Sequence, residues 1–579
     1  MKRCPECRRD YYDDTLAFCL EDGTALIQGT VPAPSGSMDG PATAILHETA
    51  PPDDPVTVAH MHATEPSAVF QSGAANQRKK AFDKRLFVLP VAAAVVILAG
   101  FLAYRYLSPV KQIESIAVMP FVNESGNAET EYLSDGMTET LIVSLSQLPN
   151  LSVKGRSSVF RYKGKDLETK TLGRELGVQA ILYGRVVQRG EQLTLSLELL
   201  DAINENVIWS GKYDRKQVDI VSLQSEIARD VSSRVQTRLS GADAAKVEKG
   251  YTANPEAYRL YLQGRFYWNK RNESAIKKSI EYFDQAIALD PSYALAYSGL
   301  ADSWQVLPSY TDEPPPETAF PNARKAALRA LELDPELAEP HATLGVVLHE
   351  YDWKFPEAEA EFRRAIELDP NYASARQWYS EYLMNMGRFE ESIAEARRAY
   401  ELEPLSLIIN VSLGRTYFVA RQYDEAIVQY RKALELDPDF KGANRSLVQV
   451  YDASEMYPEA IDQMSRLSLL DGRRPEHVAN STAALHEALE KDNVQGYWRK
   501  RLELAQEYRG SQSNETLMVL AQLYANLGNN AQALDLLEDS LASGKHNKTL
   551  VRIKTIPGLD PLRAEPRFKE LVRKIGLPE

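Results

Sequence analysis

The sequence predicts a multidomain chain with four parts: a small cysteine-bearing tip, one transmembrane helix, a compact α/β domain and an all-α solenoid of repeated helical hairpins. Three observations predict this architecture. All three cysteines stand among the first 19 of 579 residues, residues 86–104 carry no charged side chain, and a turn signal recurs every 34 or 35 residues through much of the second half. A chain of this length is expected to fold as several domains rather than around one core.

The composition narrows the classes of protein to which this chain can belong. Its formal net charge is −14 and its pI about 5.3, with 44% hydrophobic and 26% charged residues. General nucleic-acid binding needs a cationic surface that displaces counterions, so no nucleic-acid partner is expected. Three cysteines cannot build a disulfide framework. The composition is that of a chain made mostly of globular domains.

The N-terminal tip, residues 1–27, carries a candidate metal site. Its sequence reads Cys4-Pro-Glu-Cys7, then eleven residues, then Cys19-Leu-Glu-Asp22. A carboxylate oxygen is an acceptable zinc ligand, so these four residues have the donors for a tetrahedral zinc site. The tip resembles bacterial zinc ribbons in which the fourth cysteine is replaced by Asp22. The alternative is a degenerate ribbon that no longer binds metal.

Two segments follow the tip. Residues 28–85 are rich in Pro, Ala, Ser and Thr and end in a basic stretch, which predicts a disordered linker with a basic juxtamembrane end. Residues 86–106 are predicted to form a transmembrane helix, because 19 uncharged residues in helical conformation span roughly 28 Å, about one hydrocarbon core. The alternative is a buried helix of a soluble domain.

The charges that flank this helix predict its orientation. Five basic residues precede it, at positions 78–85, whereas only Arg105 and Lys111 follow it closely. By the positive-inside rule the N-terminus stays in the cytoplasm and the α/β domain and the repeats lie outside it. This predicts a single-pass protein of the bacterial inner membrane, with the cysteines on the reducing side.

The next segment, residues 113–240, has the pattern of a compact α/β domain. Short apolar runs alternate first with amphipathic stretches, and a strand meander then follows. Ser134 or Asp135 is expected to cap the first helix. The predicted strands are 113–121, 178–188, 192–202 and 206–215, the predicted helices are 131–148, 169–177 and 220–239, and residues 151–160 are predicted to be extended.

Three stretches in this segment resemble a known domain. They are SIAVMPFVNESGNAETEYLSDGMTETLIVSLSQL, LGVQAILYGRVVQRGEQLTLSLELLDA and VIWSGKYDR. Together they resemble the TolB-like amino-terminal (FlgO-like) domain of bacterial membrane proteins. That resemblance implies a non-catalytic domain that often follows a cytoplasmic kinase or adenylate-cyclase module and precedes helical repeats. Here the cysteine tip stands where such a catalytic module would be.

Residues 253–579 have an internal period. LDP or LEP turns place prolines at 291, 335, 370, 404 and 438, followed by Gly472, so the spacings are 44, 35, 34, 34 and 34 residues. Small and bulky positions stay in phase with these turns, as in Ala358-Phe362-Ala365 and Ala426-Tyr430-Ala433. The pattern resembles the tetratricopeptide repeat. Residues 473–512 keep helical periodicity without the motif, and residues 560–578 are predicted to form a capping helix.

The concave groove of such repeats is lined by first-helix residues that do not pack in the core. The register predicts that a protein or peptide partner contacts Gln377, Glu381, Val411, Arg415, Arg445 and Gln449. The same register places four earlier positions in the groove: Ser298, Asp302, Ala342 and Val346. The set lacks the basic arrangement with which some repeats clamp a peptide's C-terminal carboxylate.

The sequence contains none of the short catalytic motifs that carry a known mechanism. It has no phosphate-binding loop, kinase loop set, HExxH, GxSxG or dinucleotide fingerprint. The protein is therefore predicted not to be an enzyme. The first hypothesis is a membrane-anchored scaffold that binds protein or peptide partners through its repeats and α/β domain. The alternative is a transmembrane regulatory receptor, related to kinase or adenylate-cyclase fusions but lacking the catalytic module.

Overall fold

The computed structural model describes residues 2–3, 10–11, 27–28 and 113–578, with gaps at 128–129, 149, 236–251, 312, 508–513 and 544–547. The chain forms two compact units, Met1–Ala94 and Val95–Glu579. In the first unit three short antiparallel strands lie in the order β2-β1-β3. Their bounds are β1 Lys2–Arg3, β2 Asp10–Tyr11 and β3 Ile27–Gln28.

Several sequence predictions concern residues outside the described part. They are the metal ligands Cys4, Cys7, Cys19 and Asp22, the linker, and the transmembrane helix 86–106, all of which stay predictions. Among the described residues, no helix is both long and apolar enough to cross a bilayer.

The α/β domain is built on a six-stranded mixed sheet. Strands β6, β4 and β7 run parallel, β7, β8 and β9 form an antiparallel meander, and the short β5 pairs with β7 beyond the end of β4. The strands are β4 Ser115–Val118, β5 Val122–Asn123, β6 Ser152–Val153, β7 Ala180–Arg189, β8 Gln192–Asp201 and β9 Val207–Lys216. The long strand β9 forms one edge of this sheet.

Four helices belong to this domain: α1 Glu131–Ser146, α2 Arg156–Phe160, α3 Thr169–Leu176 and α4 Ile220–Val235. Helix α3 ends as predicted at Gly177, whose φ of 63° is a left-handed conformation that glycine adopts without strain. Two predictions were wrong. Residues 151–160 are not extended throughout, because α2 follows β6. Neither Ser134 nor Asp135 caps α1, since both lie buried within the helix.

Helical hairpins follow from residue 255. The first six pairs are α5 Pro255–Trp268 with α6 Glu273–Leu289, α7 Ala294–Val306 with α8 Pro316–Leu333, α9 Ala338–Val346 with α10 Phe355–Leu368, α11 Ala373–Asn385 with α12 Phe389–Leu402, α13 Leu407–Val419 with α14 Tyr423–Leu436, and α15 Lys441–Ala453 with α16 Tyr457–Leu470. Each LDP or LEP turn follows a second helix, because proline does not continue a helix.

Glycine and aromatic residues hold the two helices of a hairpin together. A Cβ added to Gly345 would lie 2.7 Å from the ring of Phe362, and one added to Gly414 would lie 2.5 Å from the ring of Tyr430. Both rings are fully buried. The missing side chain therefore lets the first helix approach until the ring of the second helix fills the space, which explains the in-phase small and bulky positions.

The repeat of 35 residues contains one residue more than its neighbours. The end of α9 takes up this residue, because Val347–Tyr351 form a π-helical turn before α10 begins. A π turn accommodates one inserted residue without breaking the helix. The contact between Gly345 and Phe362 is thereby kept in register although the repeat is longer.

The C-terminal part departs from this regularity. Helix α17, Pro475–Glu507, is broken at Asn493, which has φ 52° and ψ −151°. A last hairpin, α18 Asn514–Asn526 with α19 Asn530–Ser543, precedes the capping helix α20, Pro566–Ile575. Between them, residues 550–562 include two short 3₁₀ turns.

This C-terminal segment returns to the middle repeats. Arg421, in the turn between α13 and α14, donates to both oxygens of Asp560 at 2.7 and 2.9 Å and to the carbonyl of Thr555 at 3.1 Å. The backbone of Arg421 is left-handed, with φ 66°, at the turn position where Gly387 stands one repeat earlier. The side chain thus holds the C-terminal segment from a backbone position that favours glycine.

Two glycine substitutions separate the backbone strain from the side-chain contact. Glu455 has φ 60° at the equivalent turn of the next repeat and is exposed. Glu455→Gly is expected to raise the free energy of unfolding by up to about 1 kcal/mol, because the strain is relieved. Arg421→Gly relieves the same strain but removes the contact with Asp560, so hydrogen exchange in residues 550–562 should become faster. Unchanged exchange there would contradict the assigned role of Arg421.

Candidate functional site: the inner face of the repeats

The α/β domain lies against the inner face of the first repeats. The four early groove positions are all buried: Ser298, Asp302, Ala342 and Val346 are at most 4% exposed. The expectation that they line an open groove was wrong, because side chains of this same chain cover that face.

Helix α1 makes the closest approach between the α/β domain and the repeats. A Cβ added to Gly136 would lie 2.8 Å from the side chain of Leu262 in α5. Thr140 in α1 also lies 3.4 Å from the hydroxyl of Tyr258, measured between the two oxygens. Small residues at this contact let the two helices pack backbone to backbone.

A buried ion pair fixes the orientation of the two helices. The Glu139 carboxylate accepts hydrogen bonds from Arg265 Nε and from Asn269 Nδ2, both at 2.7 Å, and lies 3.1 Å from Arg156 Nε. The side chains of Glu139 and Arg265 are 7% and 17% exposed. A desolvated carboxylate is costly unless cations and donors surround it, and here α2 and α5 supply them.

The ion pair continues into the next repeats. Arg265 Nη1 lies 3.5 Å from Asp302 Oδ2 in α7, and Thr343 in α9 donates to Asp302 Oδ1 at 2.7 Å. Burial raises the pKa of Asp302 above its ordinary value, although Arg265 and Thr343 oppose this effect. One network therefore joins α1 to the first helices of three consecutive repeats.

Turns between repeats hold the other side of the α/β domain. Ser146, at the end of α1, donates to Asp369 Oδ2 at 2.9 Å, and Asn371 donates to the carbonyl of Ser146 at 3.0 Å. Lys154 donates to the carbonyl of Glu401 at 2.9 Å. Asp369 is the acidic residue of an LDP turn, so the repeat motif itself supplies a docking contact.

Four of the six predicted partner-binding residues lie together in the middle of the repeats. Glu381 Oε1 accepts hydrogen bonds from Gln377 at 3.3 Å and from Ser412 at 2.9 Å, and lies 3.7 Å from Arg415 Nη1. Gln377 and Val411 are buried, at 8% and 5% exposure. The polar side chains of this group pair with one another, so little of their surface is left for a partner.

The charges around Glu381 keep it ionised. Burial opposes ionisation, but the charges of Arg415 and Arg552 and the hydrogen bonds from Gln377 and Ser412 outweigh it and hold the pKa of Glu381 below its ordinary value. Arg552 belongs to the C-terminal segment. That segment therefore contributes a cation to the interior of the middle repeats.

The other two predicted residues, Arg445 and Gln449, are exposed on α15. Lys441, one turn earlier on the same helix, is exposed as well and lies 2.9 Å from Asp471. The residues at the groove positions are therefore largely buried on α11 and α13, whereas those on α15 are exposed. Arg445 and Gln449 are the predicted groove residues that stay open to a partner, and together with the neighbouring Lys441 they form the exposed stripe on α15.

A second surface lies on the open face of the sheet. A cleft of about 470 Å³ crosses β7, β8 and β9. Two cross-strand rows line it, Arg185-Ser196-Lys212 and Tyr183-Glu198-Ser210. These rows place both charge signs and three hydroxyls on one face, which suits hydrogen bonding to a polar ligand.

The described residues bring together few groups with the chemistry of a catalytic or metal site. Within residues 113–578 as described, no three His, Cys, Asp or Glu side chains are placed to hold a metal ion. His349 is buried, and burial together with the nearby charge of Arg552 lowers its pKa to about 3. It therefore stays neutral, with Asn385 3.2 Å from its Nε2 atom.

Four residues of this network were not predicted from the sequence: Glu139, Arg156, Arg265 and Asn269. A usable signal was present in α1, where Gly136, Thr140 and Ser144 recur every four residues and so place small side chains on one side of the helix. A helix with so little bulk on one side often packs closely against a second helix. The identity of that second helix was not contained in the local pattern.

Family models match both the α/β domain and the repeats. Residues 111–230 match the model described as the HilA/YgeH-like transcriptional regulator, second domain. Tetratricopeptide-repeat models match residues 351–406, 411–440 and 515–546. The tetratricopeptide repeats are therefore confirmed. The model matched by the α/β domain differs from the TolB-like domain that its sequence resembles.

Individual proteins are similar over parts of the chain. Putative adenylate cyclase 3 of Rhizobium meliloti (strain 1021) is 32% identical over 187 residues, which are 32% of this chain and 32% of that protein. The chain thus spans about a third of the length of this curated relative. Among solved structures, Pseudomonas aeruginosa PilF is 20% identical, with 38% of this chain and 94% of that chain covered and a TM-score of 0.30. YrrB, described as a TPR protein with an unusual peptide-binding site, is 23% identical. That match covers 36% of this chain and 97% of the YrrB chain, with a TM-score of 0.24.

The seam between the α/β domain and the repeats contains a carboxyl group that titrates near neutrality. Glu339, in the first turn of α9, lines a small cavity of about 60 Å³ with Tyr261 and Tyr293. Burial raises the pKa of Glu339 to about 7, and the charges of Asp302 and Asp369 act in the same direction. Between the ordinary pKa of 4.5 and about 7, the folded state binds a proton that the unfolded state has lost.

It follows that the free energy of unfolding falls as the pH rises through this window. Glu339→Gln abolishes the titration, so the melting temperature of the variant relative to the parent protein is expected to be higher at pH 8 than at pH 5. Glu317→Gln, in the exposed first turn of α8, is the matched control and should show no such trend. Thermal unfolding of the full chain at both pH values measures the difference. An equal offset at pH 5 and pH 8 would argue against the raised pKa.

Proposed function

We propose that this protein is a non-catalytic, membrane-anchored scaffold whose repeats bind a protein or peptide. The observation that carries the proposal is the change of exposure along the inner face of the repeats. Gln377 and Val411 are buried, whereas Arg445 and Gln449, in the repeat after that of Val411, are exposed. The α/β domain covers the early repeats, so the partner is assigned to the exposed stripe on α15.

The chemistry of this stripe favours a particular kind of partner. Arg445 is a cation on a chain whose net charge is −14, Lys441 beside it is a second cation that pairs with Asp471, and Gln449 adds a donor and an acceptor. An extended or helical segment with an acidic side chain would meet attraction here and repulsion over much of the remaining surface. The proposed ligand is therefore a peptide segment that carries at least one carboxylate.

Site-specific photo-crosslinking in cells tests this assignment. A photo-reactive amino acid placed at Gln449 is expected to form an adduct with a defined partner protein. The matched control is the same amino acid at Arg364, an exposed position on the second helix of an earlier repeat. Arg445→Glu should reduce the adduct at Gln449 because it reverses the charge offered to the partner. Equal adducts at both positions, or none at Gln449, would refute the stripe as the binding surface.

A second candidate function is a transmembrane regulatory receptor without a catalytic module. Two similarities favour it: the regulator-domain model matched by residues 111–230, and the relative named as a putative adenylate cyclase. The TolB-like resemblance points the same way. The two functions differ in whether binding at the exposed stripe changes the cysteine tip. The rate at which the tip cysteines react with a thiol reagent is measured before and after crosslinking at Gln449. A change in this rate would support the receptor, and an unchanged rate would support the scaffold.

Anchoring and metal binding belong to the same proposal. The span 86–106 is proposed to hold the tip in the cytoplasm and residues 113–579 outside it. Cys4, Cys7 and Cys19 with Asp22 are proposed to bind one zinc ion, since a tip this short has little core of its own. The support for both is the sequence pattern alone.

The three native cysteines allow one experiment on orientation and zinc. A membrane-impermeant maleimide is expected to leave them unlabelled in spheroplasts and, after permeabilisation, to label them fully only with a zinc chelator. Asp22→Ala should lessen the need for the chelator, because one ligand is lost. Labelling in intact spheroplasts would refute the orientation. Labelling without chelator after permeabilisation would refute the zinc site.

A further inference from the structure

The turn between β8 and β9 and the first residues of β9 expose three large apolar side chains. Ile203, Val207 and Ile208 are 57%, 55% and 43% exposed and lie within six residues of one another. Isolated exposed apolar residues are normal on soluble domains, but three on one hairpin tip form a local patch. These three side chains form the hairpin tip, which has no role in the proposed binding of a partner by the repeats.

The hairpin tip lies at the end of the sheet where the chain enters the α/β domain. Strand β4 runs parallel to β7, with Ile116 opposite Ala180, and Ala180 pairs with Asp201 at the end of β8. Backbone hydrogen bonds close this end: Gln179 donates to the carbonyl of Ser115 at 3.2 Å, and Ala202 donates to the carbonyl of Gln179 at 2.9 Å. The first strand and the hairpin tip are therefore neighbours.

The length of the connecting chain limits how far this end lies from the bilayer. The predicted span ends at residue 106 and β4 begins at Ser115, nine residues later. Nine residues reach at most about 30 Å when fully extended. The opposite end of the sheet, where Val218 follows β9, is about 30 Å farther along the ten-residue strands. With the proposed anchor, the end of the sheet that carries the hairpin tip stays within about 30 Å of the bilayer, whereas the far end can lie about twice as far away.

Both cations and carboxylates surround the hairpin tip: Lys170 and Arg174 are accompanied by the exposed Glu168 and Glu205. Lys170 and Arg174 are exposed on α3, and Gly173 of that helix packs against Ala202 at the base of the tip. Glu205 is the acidic residue of the turn, and its carboxylate accepts the backbone N–H of Lys170 at 3.1 Å, toward the N-terminus of α3. Cations beside exposed apolar side chains are the combination that favours an interface with anionic lipid headgroups.

We propose that the hairpin tip inserts Ile203, Val207 and Ile208 into the headgroup and acyl-chain boundary of the bilayer. The proposal rests on the proposed anchoring by residues 86–106. Three apolar side chains alone bind a membrane weakly, but the anchor makes the contact intramolecular and so raises its effective concentration. The contact would hold the sheet end-on to the membrane, with its far end away from the lipid.

The test uses the full chain in vesicles of phosphatidylcholine and phosphatidylglycerol. An environment-sensitive fluorescent amino acid replaces Ile203 in one variant and Val218 in another, and spin-labelled lipids serve as quenchers. Val218 is the matched control, because it is apolar, 64% exposed and at the opposite end of the sheet. Loss of fluorescence is expected at position 203 and not at position 218. A double variant, Lys170→Gln with Arg174→Gln, should weaken quenching at position 203 when phosphatidylglycerol is present.

The outcomes separate this inference from the anchoring on which it rests. A chain that floats with the vesicles but shows equal, weak quenching at both positions retains its anchor and overturns the hairpin contact. A chain that does not float overturns the anchor and the hairpin contact together. Equal, strong quenching at both positions overturns the end-on orientation.

Discussion

The structure depends on the enclosure of helix α1 between its own sheet and the first repeat. The helix contacts strands β4 and β6 on the side of the α/β domain and helix α5 on the side of the repeats. Most of its residues are buried, among them the charged Glu139. A buried carboxylate requires cations at fixed places. Arg156 of the α/β domain supplies one, and Arg265 of the first repeat supplies the other and so determines how the two domains meet. Two apolar surfaces could slide past each other at little cost, whereas this ion pair keeps its hydrogen bonds only at one relative position of helices α1 and α5.

This docking divides the repeats into two functional parts. The inner face of the early repeats serves an intramolecular purpose, because Asp302 and Thr343 extend the network that begins at Glu139. The middle repeats neutralise their own charges through Glu381 and Arg415. What remains for a partner is the exposed stripe on α15. The sequence pattern of the repeats is that of a solenoid with an open groove. In the structure the early repeats support the α/β domain instead, and the exposed stripe lies toward the other end of the array.

The C-terminal segment adds contacts that a repeat array ordinarily lacks. Each unit of a solenoid usually contacts only its neighbours in the sequence. Here Lys548 donates to the carbonyl of Pro308 at 3.3 Å, and Arg421 holds Asp560. The aromatic and aliphatic side chains of the last hairpin share a core with Phe320 and Phe355. These long-range contacts tie the end of the array to its middle.

The sequence by itself determined the local elements and their periods. Periodicity depends on side-chain spacing, so the three strands of the meander, the flanking strand β4, the helix that ends at Gly177 and the in-phase small and bulky positions around Phe362 could be predicted. The tertiary structure alone decided what covers the inner face. The Glu139–Arg265 pair joins residues 126 positions apart, and nothing in either local pattern encodes that distance. A groove position is exposed or buried according to its neighbour in space, which is why Asp302 and Gln449 have the same register and opposite environments.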